Sequence, residues 1–119
     1  MNIEENYRRW LELATEDIDI RKELLSMGEK EKEDSFYKDL SFGTGGLRGV
    51  IGAGTNRMNI YTVRKATQGL SDYILSHFGK EERKVAISYD SRRKSEDFAK
   101  AALEVLSGNG IHVYIYPHL

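Results

Sequence analysis

Tyr7, Trp10, Leu11 and Ala14 recur at three- to four-residue spacing in a charged background, which predicts an amphipathic helix over residues 3–14. Its apolar stripe needs a partner surface. Thr15, followed by Glu16 and Asp17, reads as an N-cap with acidic residues in the first turn. Ile18, Leu24 and Leu25 then give a second helix an apolar side as far as Gly28. Glu29 to Asp34 alternates both charge signs without an apolar face and reads as a solvated helix or linker. Leu47 to Ile51 has the character of a short strand, and Gly52-Ala53-Gly54-Thr55-Asn56 would turn it as a hairpin into Arg57-Met58.

From Asn59 the pattern becomes strongly helical. Asn59 is placed to cap a helix whose apolar positions Val63, Ala66, Leu70, Tyr73, Ile74 and Phe78 follow a 3.6-residue period until Gly79. Val85-Ala86-Ile87-Ser88-Tyr89 reads as a strand, because β-branched side chains suit a pleated surface. Ser95 reads as the cap of a further helix with Glu96 and Asp97 at its positive end and Phe98, Ala99, Ala102, Leu103 and Leu106 as its buried stripe. Gly108-Asn109-Gly110 stops that helix. Ile111, Val113 and Ile115 then alternate with His112, Tyr114 and Tyr116 as another strand. Strand, helix and strand make a βαβ unit with parallel strands and a right-handed crossover, so the fold class is α/β. A division at residue 40 is expected, with a helical segment over 1–40 and an α/β domain over 41–119.

The 119 residues, 39% hydrophobic and 31% charged, suit one domain of a soluble protein. With 18 basic and 19 acidic residues the net charge is −1, which gives no basic footprint for nucleic acid or an anionic membrane. Any anion recognition must be local. The absence of cysteine excludes disulfides and thiolate metal sites. No apolar run approaches the roughly 20 residues that span a bilayer, and Glu4, Glu5 and Trp10 stand where a signal peptide would be basic and then apolar. A cytoplasmic protein is expected.

Two stretches carry candidate chemistry. In Phe42-Gly43-Thr44-Gly45-Gly46-Leu47-Arg48-Gly49, the glycines permit close backbone approach, so successive N–H groups could form a nest for phosphate oxygens. Arg48 would grip two oxygens at once through its planar guanidinium. The same residues could equally shape a plain hairpin that carries a surface charge. Arg48 occupies the place of the third glycine in a dinucleotide fingerprint, and no Gly-Lys-Ser/Thr opens a helix, so neither standard nucleotide motif is present. Asp90-Ser91-Arg92 follows a strand at the carboxyl edge of the expected parallel pair, where open α/β sheets place ligands. Asp90 could orient Arg92 by charge-assisted hydrogen bonds, and an ordinary turn with an ion pair would look the same. His77, His112 and His118 have no carboxylate at ligand spacing, so no metal site is expected within this stretch. Ser88, Ser91 and Ser95 have no local histidine partner for nucleophilic catalysis.

These stretches together resemble the α-D-phosphohexomutases, the phosphoglucomutases, phosphomannomutases and phosphopentomutase-like relatives. Residues 42–49 are similar to the family's F-G-T-x-G-L-R signature, and Tyr89-Asp90-Ser91-Arg92 to its Y-D-S-R. Asn56-Arg57-Met58-Asn59, Thr62-Val63 and Ala66-Thr67-Gln68-Gly69-Leu70 resemble the R-M-N and A-T-Q-G stretches of the phosphopentomutase-like branch, and Tyr7-Arg8-Arg9-Trp10-Leu11 resembles its start. The resemblance implies a three-layer-type α/β domain with a small mixed sheet, preceded by N-terminal helices, as a truncated first domain of four.

The resemblance also implies that a phosphoserine donates its phosphoryl group to a sugar phosphate, and that the bisphosphate returns the other phosphoryl group. It makes Arg48 the arginine that offsets charge on the transferring group. Thr44, Gly45 and Gly46 would shape the backbone beside it, and Asp90 and Arg92 would support the catalytic loop. The family's Mg²⁺, its serine loop and its sugar-recognition loop have no counterpart in residues 1–119, and a glucose 1,6-bisphosphate-type activator would serve the parent enzyme. The chain taken alone is therefore expected to be inactive and to self-associate through apolar surface and strand edges left open. A stand-alone anion-binding module and a bisphosphate synthase on the same fold are the alternative readings.

Overall fold

The computed structural model describes residues 2–40, 42–43, 46–47, 50–89 and 94–117. Contacts divide the chain into two compact units, Met1–Thr62 and Val63–Leu119.

In the first unit, α1 (Ile3–Leu13), α2 (Ile18–Leu25) and α3 (Glu29–Phe36) precede a pair of very short strands, β1 (Phe42–Gly43) and β2 (Gly46–Leu47). Asn2 caps α1, its side chain accepting the Glu5 N–H at 2.8 Å. The stripe of α1 meets α2 and α3 around Tyr7, Ala14, Ile20, Leu24, Met27, Phe36 and Ala53, with Trp10, Leu11 and Tyr61 packed against them. Phe36 lies at the centre. Its ring stands edge-on to Tyr7 (centroids 6.0 Å apart) and to Trp10 (5.7 Å), and Trp10 meets Tyr61 in the same way at 5.5 Å. Each such pair contributes about 0.5–1.5 kcal/mol beyond the area it buries.

The boundary of α2 differs from the expectation. Asp17, not Thr15, is the N-cap, and its carboxylate accepts the N–H groups of Asp19 (3.0 Å) and Ile20 (3.3 Å). A distant residue explains the shift. The backbone N–H groups of Glu16 and Asp17 both donate to the Tyr61 hydroxyl, at 3.0 and 2.9 Å, which holds them in the turn before the helix. With the start moved, Ile20 and Leu24 become the buried pair, whereas Ile18 and Leu25 are 67% and 65% exposed. The helix ends at Leu25, before the expected Gly28. The charged run forms α3, and its last residue is the buried Phe36.

The expected hairpin over residues 47–58 does not form. Instead β2 ends at Leu47, and Ile51 bridges Met58 in parallel, with the Met58 N–H donating to the Val50 carbonyl (2.7 Å) and the Gly52 N–H to the Met58 carbonyl (3.1 Å). The intervening segment makes a full loop, and Gly54 takes the positive φ of 124° that such a path requires.

The second unit contains most of α4 (Ile60–His77), a 3₁₀ turn over Lys80–Glu82, β3 (Lys84–Tyr89), α5 (Ser95–Gly108) and β4 (His112–Pro117). β3 and β4 pair in parallel, from Lys84 opposite His112 to Tyr89 opposite Pro117, so this unit is an α/β domain with a two-stranded parallel sheet, as the βαβ pattern predicts. Ile74, Leu106 and Ile111 form its buried centre, with Val85, Ile87 and Val113 against them. On α4 the buried stripe runs Val63, Thr67, Ser71 and Ile74, while Leu70, Tyr73 and Phe78 are exposed. Hydroxyls tolerate that burial because each donates to its own helix, Thr67 to the Val63 carbonyl at 2.6 Å and Ser71 to the Thr67 carbonyl at 2.9 Å. On α5, Ala99, Ala101 and Leu106 are buried, and Phe98, Ala102 and Leu103 are half-buried.

Ser95 is the first residue of α5 and not its cap; that place belongs to Lys94, in the left-handed region at φ 68°. The other end follows the glycine signal. Gly110 (φ 76°) donates its N–H to the Ser107 carbonyl and Ile111 donates to the Leu106 carbonyl, both at 3.1 Å, which is a Schellman closure with Leu106 and Ile111 as its apolar pair.

A Cβ on Gly110 would meet no atom within 4 Å, so substitution there acts through the backbone alone. Gly110→Ala is expected to lower stability by about 1 kcal/mol, because a left-handed conformation disfavours Cβ. Gly108→Ala, inside the helix and equally unobstructed, is expected to leave stability unchanged or raise it by up to ~1 kcal/mol. Urea unfolding of the two variants beside the wild type measures both; equal effects would show that the left-handed closure does not matter.

Candidate functional site

The glycine-rich stretch is built as a tight antiparallel pair. Phe42 faces Leu47 and Gly43 faces Gly46 across β1 and β2, so Gly46 is placed in a strand and Thr44 and Gly45 are the two residues between the strands. Thr44, Gly45 and Arg48 lie outside the described residues, as do Asp90 and Arg92, which follow the carboxyl end of β3. Their neighbours define the scaffold.

From Val50 to Thr62 the chain is tied at nearly every step. The Asn59 side-chain amide donates to the Gly52 carbonyl (2.8 Å) and the Gly54 carbonyl (3.2 Å), which closes the loop from inside. Its side-chain oxygen accepts the Thr62 N–H at 2.9 Å while the Thr62 hydroxyl oxygen accepts the Asn59 N–H at 3.0 Å. This reciprocal arrangement starts α4 as a capping box does, with threonine in the place of the usual glutamate or glutamine. The Thr62 hydroxyl in turn donates to the Arg57 carbonyl at 2.8 Å. Asn59 and Thr62 are both buried, so these bonds are shielded from competing water.

The outer side of the loop is held by the helices. The Ala53 N–H donates to the Glu23 carboxylate on α2 at 2.9 Å, and the Asn56 N–H donates to the Ser35 carbonyl on α3 at 2.9 Å. The Arg57 guanidinium donates to the Asp34 carbonyl at 3.1 Å. Leu40 N–H donates to the Thr55 carbonyl (2.8 Å), and the Thr55 hydroxyl donates to the Lys38 carbonyl (2.8 Å). Asn59 is thus more than the expected cap, and Glu23 was not foreseeable as a participant from local spacing, because its partner is thirty residues away.

In the second unit, Gln68 and Asn109 exchange amide hydrogen bonds, Asn109 donating at 2.9 Å and Gln68 at 3.3 Å, and Asn109 also donates to the Val105 carbonyl at 2.7 Å. This joins α4 to the end of α5. Among the described residues no group of three His, Asp or Glu side chains could hold a metal ion. No helix among them is long and apolar enough to cross a membrane.

Comparison with known proteins places this scaffold in a family. Residues 39–119 match the model of the phosphoglucomutase/phosphomannomutase α/β/α domain I. A phosphoglucomutase of Staphylococcus saprophyticus is 37% identical over 106 residues, 89% of this chain and 19% of that protein. A phosphoglucomutase of Staphylococcus haemolyticus is 34% identical over 84 residues, 71% of this chain and 15% of the relative. A probable phosphoribomutase of Schizosaccharomyces pombe is 41% identical over 81 residues, 67% of this chain and 14% of the relative. The chain therefore spans less than a fifth of the length of these relatives. No solved structure matches. The match over residues 39–119, which takes in both the glycine-rich stretch and the βαβ unit, means that the chain belongs to the phosphoglucomutase/phosphomannomutase family through that family's domain I.

Proposed function

We propose that this chain is the first-domain part of a phosphosugar mutase, an isomerase that moves a phosphoryl group between two hydroxyls of one sugar through an enzyme phosphoserine and a sugar bisphosphate. The observation that carries the reading is the family match over residues 39–119, which contains Phe42 to Gly49 in the family's order. The names of the relatives support a phosphohexose or a phosphopentose as substrate. In this reading the parent has four domains, of which this is a three-layer-type α/β domain, and works in the cytoplasm.

Arg48 would act as the charge that meets the transferring phosphoryl group. Transfer of a phosphoryl group is accelerated mainly by positioning and by charges already in place where negative charge collects. Thr44, Gly45 and Gly46 would shape the backbone beside that group, and Asp90 and Arg92 would support the loop that carries the serine. Mg²⁺ would neutralise phosphoryl charge. The described residues offer it no ligand cluster, so none of them is assigned to it. A sugar 1,6-bisphosphate would serve as activator.

In the full-length protein, Arg48→Lys is expected to keep the charge but lose the two-point grip, lowering kcat about 100-fold with KM changed little. Steady-state assays with glucose 1-phosphate and ribose 1-phosphate measure this and identify the sugar; a variant as active as wild type would remove Arg48 from the site. Residues 1–119 alone contain no Ser-His-Asn-Pro loop and are expected to give no turnover with glucose 1,6-bisphosphate and Mg²⁺ supplied. Measurable mutase activity in that sample would contradict the assignment.

The same isolated chain is expected to self-associate, because β3 and β4 pair only with each other among the described residues, and Tyr114, Ile115 and Tyr116 are exposed along β4. Light scattering at rising concentration tests this, and a monomer throughout would argue against it.

A further inference from the structure

The family match begins at residue 39, yet the loop that follows its glycine signature is fastened in part by residues that precede the match. Glu23 on α2 takes the Ala53 N–H, and the Asp34 and Ser35 carbonyls at the end of α3 take Arg57 and Asn56. Ala53 is itself fully buried among Tyr7, Leu24 and Phe36. Space around the loop is tight. A Cβ on Gly52 would come within 2.9 Å of the Glu23 carboxylate, and one on Gly54 would fall on the Ser35 carbonyl oxygen. Only Arg48 and Gly49 separate the end of β2 from the first tied group, the Val50 carbonyl that accepts the Met58 N–H. Each residue of a chain spans at most ~3.6 Å, so two residues are a short connection.

We propose that Glu23 is a positioning residue for the loop that follows the signature: by accepting the Ala53 N–H it makes the N-terminal helices a brace for residues 50–54 and, through the chain that joins them, for Arg48. The inference rests on the mutase reading for its catalytic consequence, but not for the brace itself. Among the described residues Glu23 bonds Ala53, so it would act through residues 50–54. A displacement of about 1 Å in a group that meets the transition state costs on the order of 100-fold, so loosening the brace should reduce kcat more than it raises KM.

The test uses the full-length protein and four variants. Glu23→Ala is expected to lower kcat by roughly tenfold or more with KM within about twofold, while Glu23→Gln, which retains an acceptor oxygen, restores most of the loss. Gly52→Ala, whose Cβ displaces the carboxylate, is expected to reproduce the Glu23→Ala effect, and the double variant to be no worse than either single one. Hydrogen exchange over residues 50–58, read by mass spectrometry, should speed up in Glu23→Ala and Gly52→Ala and stay slow in Glu23→Gln. Unchanged exchange in Glu23→Ala would overturn the brace, as would glutamine behaving like alanine or additive losses in the double variant. If the wild type shows the expected exchange pattern but no mutase activity, the mutase reading fails and the brace stands. If the wild type is active and the exchange responds while kcat does not, the brace exists but does not position Arg48, and the proposal is overturned.

Discussion

The peptide groups of residues 50–58 have no regular strand or helix to satisfy them, and a buried unpaired N–H or carbonyl costs about as much as a lost hydrogen bond. Much of the first unit follows from that constraint. Asn59 fills the inside of the loop with its amide, Glu23 and the end of α3 reach it from outside, and Ala53 is carried into the helical core. The same Asn59 begins α4, so loop closure and helix initiation are one event. Remove the amide and two carbonyls, a buried N–H and a helix start would all need new partners.

The sequence made the regular elements legible and the long-range ones obscure. Helix α4 could be read from Asn59 onward because a capping side chain and a 3.6-residue period coincide there, and the βαβ unit because β-branched runs flank a helix closed by Gly108-Asn109-Gly110. The start of α2 was misplaced because Tyr61, far along the chain, decides it. The stripe of α4 was misjudged because hydroxyls that bond their own helix can be buried as if they were apolar, so Thr67 and Ser71 displaced Leu70 and Tyr73. A hairpin was expected over residues 47–58 because glycines between apolar pairs signal one, whereas side-chain amides can hold a wider path that returns parallel.

The candidate site shows the same split. Phe42 to Gly49 could be matched to a phosphosugar mutase signature from residue identity alone, since glycines around an arginine are written locally. What holds the loop that follows that stretch was not. Glu23 carries no motif, and its importance depends on Ala53 lying opposite, which only the folded chain reveals. Gln68 was visible as part of a recognisable run, but its partner Asn109 was not.

The first unit's core draws on residues from Ile3 to Tyr61, and each hydrogen bond that fastens the loop of residues 50–58 ends at or before Thr62. A chain is synthesised from its N-terminus, and domains tend to fold as units in that order. The set of residues that fastens the loop of residues 50–58 is therefore complete in sequence before β3 and β4 have been made. The loop of residues 50–58 can then find all its partners within the first unit, without waiting for the later strands.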